Sequence, residues 1–133
     1  MNGIHLIKKY DFSGYLSSLA KAEPYNFEGS KCIDISYEDA DITLFFMGGM
    51  ELPSQHELES LLRTLLDLDE YVSKLDITIN HYEKTKNEYH LSYIEIQNYD
   101  VLSLFYCGVN VNAQWGVEFE RNTDGLWEFS GFC

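Results

Sequence analysis

Between Ser54 and Thr85 the chain carries one strong helical signature, and strand-like runs flank it on both sides. Leu61, Leu65, Leu68, Val72, Leu75, Ile79 and Tyr82 recur at alternating spacings of four and three, which places them on a single helical stripe. Ser54 followed by Glu57 forms a capping box, fixing where that helix starts. Unbroken to Thr85 it would be about 48 Å long at ~1.5 Å per residue, more than a domain of 133 residues easily covers. Asp67-Leu68-Asp69-Glu70 supplies a second capping signal, so a bend or break near Asp67 stands beside the continuous helix. A stripe of this length also fits a short coiled coil, but packing on the chain's own strands is the expected arrangement.

Two strands precede the helix. In Lys31 to Tyr37, Ile33, Ile35 and Tyr37 alternate with Cys32, Asp34 and Ser36, the pattern of a half-solvated strand. Asp41 to Met47 is apolar on both faces and reads as more central. The short polar link between them predicts a hairpin with an acidic tip. After the helix, Tyr89–Gln97, Val101–Cys107, Trp115–Glu120 and Leu126–Phe132 read as a strand meander, with a turn at Asp124-Gly125. Trp115 and Trp127 are expected core anchors. Residues 1–30 are less regular. Ile4 to Tyr10 fits a short strand, and Asp11 to Ala22 is ambiguous, because Phe12, Tyr15, Leu16 and Leu19 fit a helix while Gly14 argues against one. Lys21 to Ser30, with Pro24, Asn26 and Gly29, reads as a loop. The expected architecture is a single α+β domain over residues 1–133. An antiparallel sheet, curved or split, carries the helical segment of about 54–85 packed on one face.

Charge limits what such a domain can bind. Asp and Glu number 22 against 9 Lys and Arg, a formal net charge of -13. From Cys32 to Leu62 there are acids but no Lys or Arg, and from Asn87 onward Arg121 is the only base. Such a field repels phosphate backbones and anionic lipid and attracts basic partners. An apolar content of 45% still demands a folded core. No signal-peptide pattern and no run of about 18 apolar residues is visible, so neither export nor a membrane is expected. Cys32, Cys107 and Cys133 have no ligand-like spacing. Cys32 and Cys107 sit in apolar runs and are expected as buried thiols of a reducing cytosol.

Catalytic patterns do not emerge. His56-Glu57 lacks the second His of a zinc-protease motif, since Ser60 occupies that position. No serine has the flanking glycines of a nucleophile elbow, and Gly48-Gly49 is not followed by a Lys. The carboxylates Asp34, Glu38, Asp39 and Asp41 do not have the spacing of a calcium loop. No enzyme activity, metal or cofactor is therefore expected. An alternative is a small-ligand or enzymatic domain whose aromatic pocket holds Glu95 as a base.

The acids instead outline a protein-docking surface. Glu118 and Glu120 share the polar face of one strand, while Asp34, Glu38, Asp39 and Asp41 lie on another hairpin. If those hairpins met at a sheet edge, the acids would form one continuous surface with Tyr37 and Tyr93 as aromatic anchors. The stretch Val109-Asn110-Val111-Asn112-Ala113-Gln114-Trp115-Gly116-Val117-Glu118-Phe119-Glu120, running into Trp127-Glu128-Phe129, completes the picture. With that stretch and its acidic character, the chain resembles the cytoplasmic immunity proteins of bacterial polymorphic-toxin and contact-dependent growth-inhibition systems. The resemblance implies a monomeric cytoplasmic inhibitor of one basic toxin domain, often a nuclease such as an RNase. It carries over no individual functional residue.

Overall fold

The computed structural model describes residues 12–37, 40–73, 89–108 and 114–132. In chain order these form α1 (Phe12–Lys21), β1 (Tyr25–Phe27), β2 (Ser30–Tyr37), β3 (Ala40–Phe46), α2 (Gln55–Ser73), β4 (Tyr89–Gln97), β5 (Val101–Gly108), β6 (Gln114–Arg121) and β7 (Trp127–Phe132). The class is α+β. All seven strands join one open sheet in the order β1-β2-β3-β4-β5-β6-β7. Every neighbouring pair is antiparallel except β3 and β4, which run parallel with Thr43 opposite Tyr93. The exception corrects the expectation of a wholly antiparallel sheet. Parallel strands cannot be joined by a tight turn, and α2 lies in the long connection between these two.

Alternation decides what each strand buries. Ile33 and Ile35 of β2, Ile42, Leu44 and Phe46 of β3, Ile94 and Ile96 of β4, Leu102, Leu104 and Tyr106 of β5, and Trp115, Val117 and Phe119 of β6 all point to one side. They share a single hydrophobic cluster with Tyr15 and Leu19 of α1 and with Leu58, Leu62, Leu65, Leu66, Leu68 and Val72 of α2. Trp127 packs partly buried against it.

The capping box at α2 is complete, with the Glu57 N–H donating to Ser54 Oγ at 3.2 Å and the Ser54 N–H to Glu57 Oε1 at 3.0 Å. These bonds hold the Glu57 carboxyl below its usual range. The helix continues through Asp67 without a break as far as Ser73, and the expected extension to Thr85 falls outside the described residues. Its buried line is Leu58, Leu62, Leu65, Asp69 and Val72, so Asp69 is a buried residue rather than a second cap. Leu61, assigned to the stripe from its spacing, is only partly buried.

The N-terminal region settles one open reading and holds one departure. Phe12–Lys21 is helical despite Gly14, because burying Tyr15 and Leu19 outweighs the roughly 1 kcal/mol by which Gly trails Ala in a helix. Tyr25–Phe27, expected as loop, is a short edge strand. Glu28 and Gly29 both have positive φ, 50° and 84°, so this two-residue turn has the sense of twist that lets Phe27 pair with Ser30. The proposed strand Ile4–Tyr10 lies outside the described residues.

Candidate protein-docking face

The opposite side of the sheet has no helix against it among the described residues. The same alternation that sends isoleucines and leucines inward turns a second set of side chains onto this outer face. Phe27 of β1, Phe45 of β3, Tyr93 of β4 and Phe105 of β5 form a strip of rings across it. Phe45 meets Phe27 edge-on at 6.5 Å and Tyr93 at 5.6 Å, and Tyr93 stacks on Phe105 at 4.6 Å with their planes 11° apart. Phe27 is 53% exposed, and the other three rings are half-buried. Gln114 Nε2 donates to the Tyr93 hydroxyl at 2.9 Å, fixing that ring from β6.

Carboxylates border the strip. Asp34 and Asp41 lie on its β2–β3 side, Glu95 sits beside Phe45 in register, and Glu118, Glu120 and Glu128 follow on β6 and β7. Among the described residues, no outward position of the seven strands is Lys or Arg; Lys31 and Arg121 have the inward parity. Arg121 instead lies 4.8 Å over the Trp127 ring. Glu120 and Glu128 are directly opposite each other, an arrangement that costs stability. Asn122 Nδ2 donates to Glu128 Oε1 at 2.6 Å, and Ser130 Oγ donates to Glu118 Oε2 at 3.3 Å.

Asp34 is the most firmly held of the acids. Its Oδ1 accepts from the Tyr25 hydroxyl at 2.9 Å and from Thr43 Oγ1 at 2.8 Å. The hydrogen bond to Asp34, reinforced by burial and the carboxylate charge, pushes the Tyr25 phenol up to about 12. The donor therefore stays protonated and ties β1 to the two strands beyond it.

Asp34, Asp41, Tyr93, Glu118 and Glu120 thus share one face. The backbone of Tyr37 ends β2, but its side chain, like Glu38 and Asp39, lies outside what the structure describes. The two acidic groups do not meet at a sheet edge, because β4 and β5 stand between them and carry Tyr93 and Phe105. Sequence reasoning missed Phe27, Phe45 and Phe105. The two-faced apolar runs of β3 and β5 signalled central strands, and nothing in the pattern marked which of their faces lies away from the helices.

Cys32 is fully buried, and desolvation followed by the nearby Asp34 charge pushes its thiol up. Cys107 is only half-buried on the outer face, contrary to its expected burial. Among the described residues the buried carboxylate is Asp69, at 0% exposure, which accepts from the Tyr106 hydroxyl at 2.6 Å, and the Tyr106 ring stacks on Trp115. Burial, followed by the Asp69 charge and hydrogen bond, holds Tyr106 well above the ordinary tyrosine value. Glu95, the candidate base of an aromatic pocket, is half-buried on the outer face. Among the described residues no group of three or more His, Cys, Asp or Glu is placed to hold a metal ion, and no helix is long and apolar enough to cross a membrane. Compared with protein-family models, curated proteins and solved structures, the chain matches none.

Proposed function

We propose that this chain is an acidic, non-enzymatic binding protein that neutralises a basic toxin domain by tight protein–protein association. The toxin is a nuclease, with an RNase the leading case. In this reading the chain is a monomeric cytoplasmic immunity protein of a polymorphic-toxin or contact-dependent growth-inhibition system. The observation that carries it is the outer face, where aromatic rings are bordered by carboxylates and, among the described residues, no outward strand position is Lys or Arg. Central aromatics within a charged rim are what a tight interface needs, and a uniform sign of charge speeds capture of an oppositely charged partner. The reading takes the sheet as curved, with α2 as the layer over its inner face. The shared hydrophobic cluster and the register shifts at Leu91/Tyr93 and Glu118/Phe119 support that shape, because bulges bend and twist strands.

The test begins with the gene immediately upstream. Its C-terminal domain, expressed in bacteria alone and together with this chain, should be toxic only alone. Asp41→Lys combined with Glu118→Lys should slow association with that domain by about tenfold or more at low salt. The gap should narrow at 1 M salt, where the Debye length is roughly 3 Å. An association rate indifferent to both charge reversal and salt removes this face from the interface.

A further inference from the structure

The two edges of the sheet differ. Strand β1 is three residues long and follows Pro24, so it offers little to pair with. Strand β7 is longer and has no Pro, and among the described residues no strand lies beyond it. The direction of its backbone groups follows from β6. The Arg121 N–H donates to the Asp100 carbonyl at 2.8 Å, on the β5 side, so Arg121 makes no ladder bond to Trp127, its partner in register. Trp127 and, two residues on, Phe129 therefore turn their N–H and C=O groups to the outer edge, while Glu128 spends its own on Glu120. The register shift between Glu118 and Phe119 ends the regular edge at Phe129. Side chains along this edge separate by face. Trp127 and Phe129 have the inward parity, and the Phe129 ring, 38% exposed, lies 6.3 Å from the Tyr71 ring of α2, itself 46% exposed. Glu128 has the outward parity and is exposed.

We infer that the β7 edge accepts an extended segment of the basic partner as a further antiparallel strand, with the pattern apolar–basic–apolar. The outward N–H and C=O groups of Trp127 and Phe129 call for a backbone in register, which only another strand supplies. Residues opposite Trp127 and Phe129 fall on the inner side, against the exposed rings of Phe129 and Tyr71, so apolar side chains fit there. The residue opposite Glu128 forms a non-hydrogen-bonded pair, the closer of the two kinds, on the outer side. A base at that position relieves the repulsion between Glu120 and Glu128. Charge also excludes a second copy of this chain as the occupant. Self-pairing through Trp127 and Phe129 sets Glu128 directly against its own copy, between chains of net charge -13. The inference rests on the proposed function, which supplies a basic partner but does not specify how its backbone engages.

Amide hydrogen exchange on the intact chain, followed by NMR with a short peptide of alternating lysine and valine, tests this edge. In the free chain the Trp127 and Phe129 amides should exchange fast and the Glu128 amide slowly. Saturating peptide at low salt should slow Trp127 and Phe129 by about tenfold or more. Methylating the valine nitrogens, which face the edge, should abolish that protection, whereas methylating the lysine nitrogens should spare it. Glu128→Lys should weaken the peptide several-fold and leave the exchange pattern of the free chain unchanged. Slow exchange at Trp127 and Phe129 in the free chain overturns the proposal, since the edge is then already covered. Protection that grows with chain concentration alone overturns it in favour of a second copy. Binding that survives methylation of the valines overturns strand addition. In complex with the upstream toxin domain the same two amides separate this inference from the proposed function. A neutralised toxin with both amides still exchanging fast refutes the edge and leaves the function standing. A toxin domain that this chain does not neutralise refutes the function and, with it, the partner named here.

Discussion

The two faces of this sheet are made by the same strands and the same alternation, yet they contain opposite chemistry. On β5, Leu102, Leu104 and Tyr106 turn inward and are fully buried, while Val101, Phe105 and Cys107 turn outward and stay half-buried. The inner core is aliphatic and aromatic, and among the described residues the carboxylate buried in it, Asp69, is matched to a hydroxyl. Outward positions mix rings with carboxylates and leave Glu120 opposite Glu128. A face selected for stability alone would not place like charges in register. The inner face therefore accounts for folding, and the outer face carries an arrangement that costs stability and makes physical sense against a cationic surface.

The strongest way to break that contrast is to empty the inner face. Leu65→Ala should cost about 2–5 kcal/mol in equilibrium denaturant unfolding, a large part of the ~5–15 kcal/mol expected for a domain. A loss under 1 kcal/mol would remove Leu65 from the packed core. The midpoint should also be independent of protein concentration, as the packing is within one chain.

The buried polar pair comes next. Tyr106→Phe takes a donor from the buried Asp69 carboxylate and should cost about 1.5–3 kcal/mol. Tyr106 also has a signed pH dependence. Its folded-state value lies above the unfolded one near 10, so its contribution is complete below about pH 10 and is lost as pH rises past it toward the folded value. Tyr25, raised to about 12, acts in the same direction. Unfolding measured from pH 8 to 11 should show stability falling above pH ~10, and Tyr106→Phe should flatten that fall. An unchanged slope would mean that the pair does not titrate as described.

The smallest effect sharpens the contrast most. Glu120→Lys replaces a repulsive cross-strand pair with an attractive one and should raise stability by about 0.2–1 kcal/mol at low salt. The same change should slow association with a basic partner. A variant that gains stability and keeps full association would place Glu120 outside the interface.

Much of this contrast is legible in the sequence. The parity of Asp34, Asp41, Tyr93, Glu118 and Glu120 follows from period-two alternation, and those residues do share a face. The β2–β3 hairpin, the α2 cap and the β4–β7 meander were equally legible, since each depends on local pattern. The hidden parts depend on tertiary placement. Asp69 lies among capping-type acids, and only the position of Tyr106 beneath it shows that it turns inward. Strand β1 is three residues long and has no alternation to read, only a turn that brings it against β2. Phe45 and Phe105 look like core residues because nothing in a linear pattern tells the face under the helices from the face away from them.

The parallel contact between β3 and β4 also bears on how fast the chain reaches this structure. Thr43 must find Tyr93, fifty positions away, whereas Tyr37 finds Ala40 three positions away. By chain-closure entropy alone the distant pairing costs about 2.5 kcal/mol more than the hairpin. The β2–β3 hairpin and the β4–β7 meander each close through local contacts, and the seam between them is the non-local step. Refolding should therefore be limited by that union, and substitutions at Leu44 or Ile94, which pair across it, should slow folding more than substitutions at Phe119.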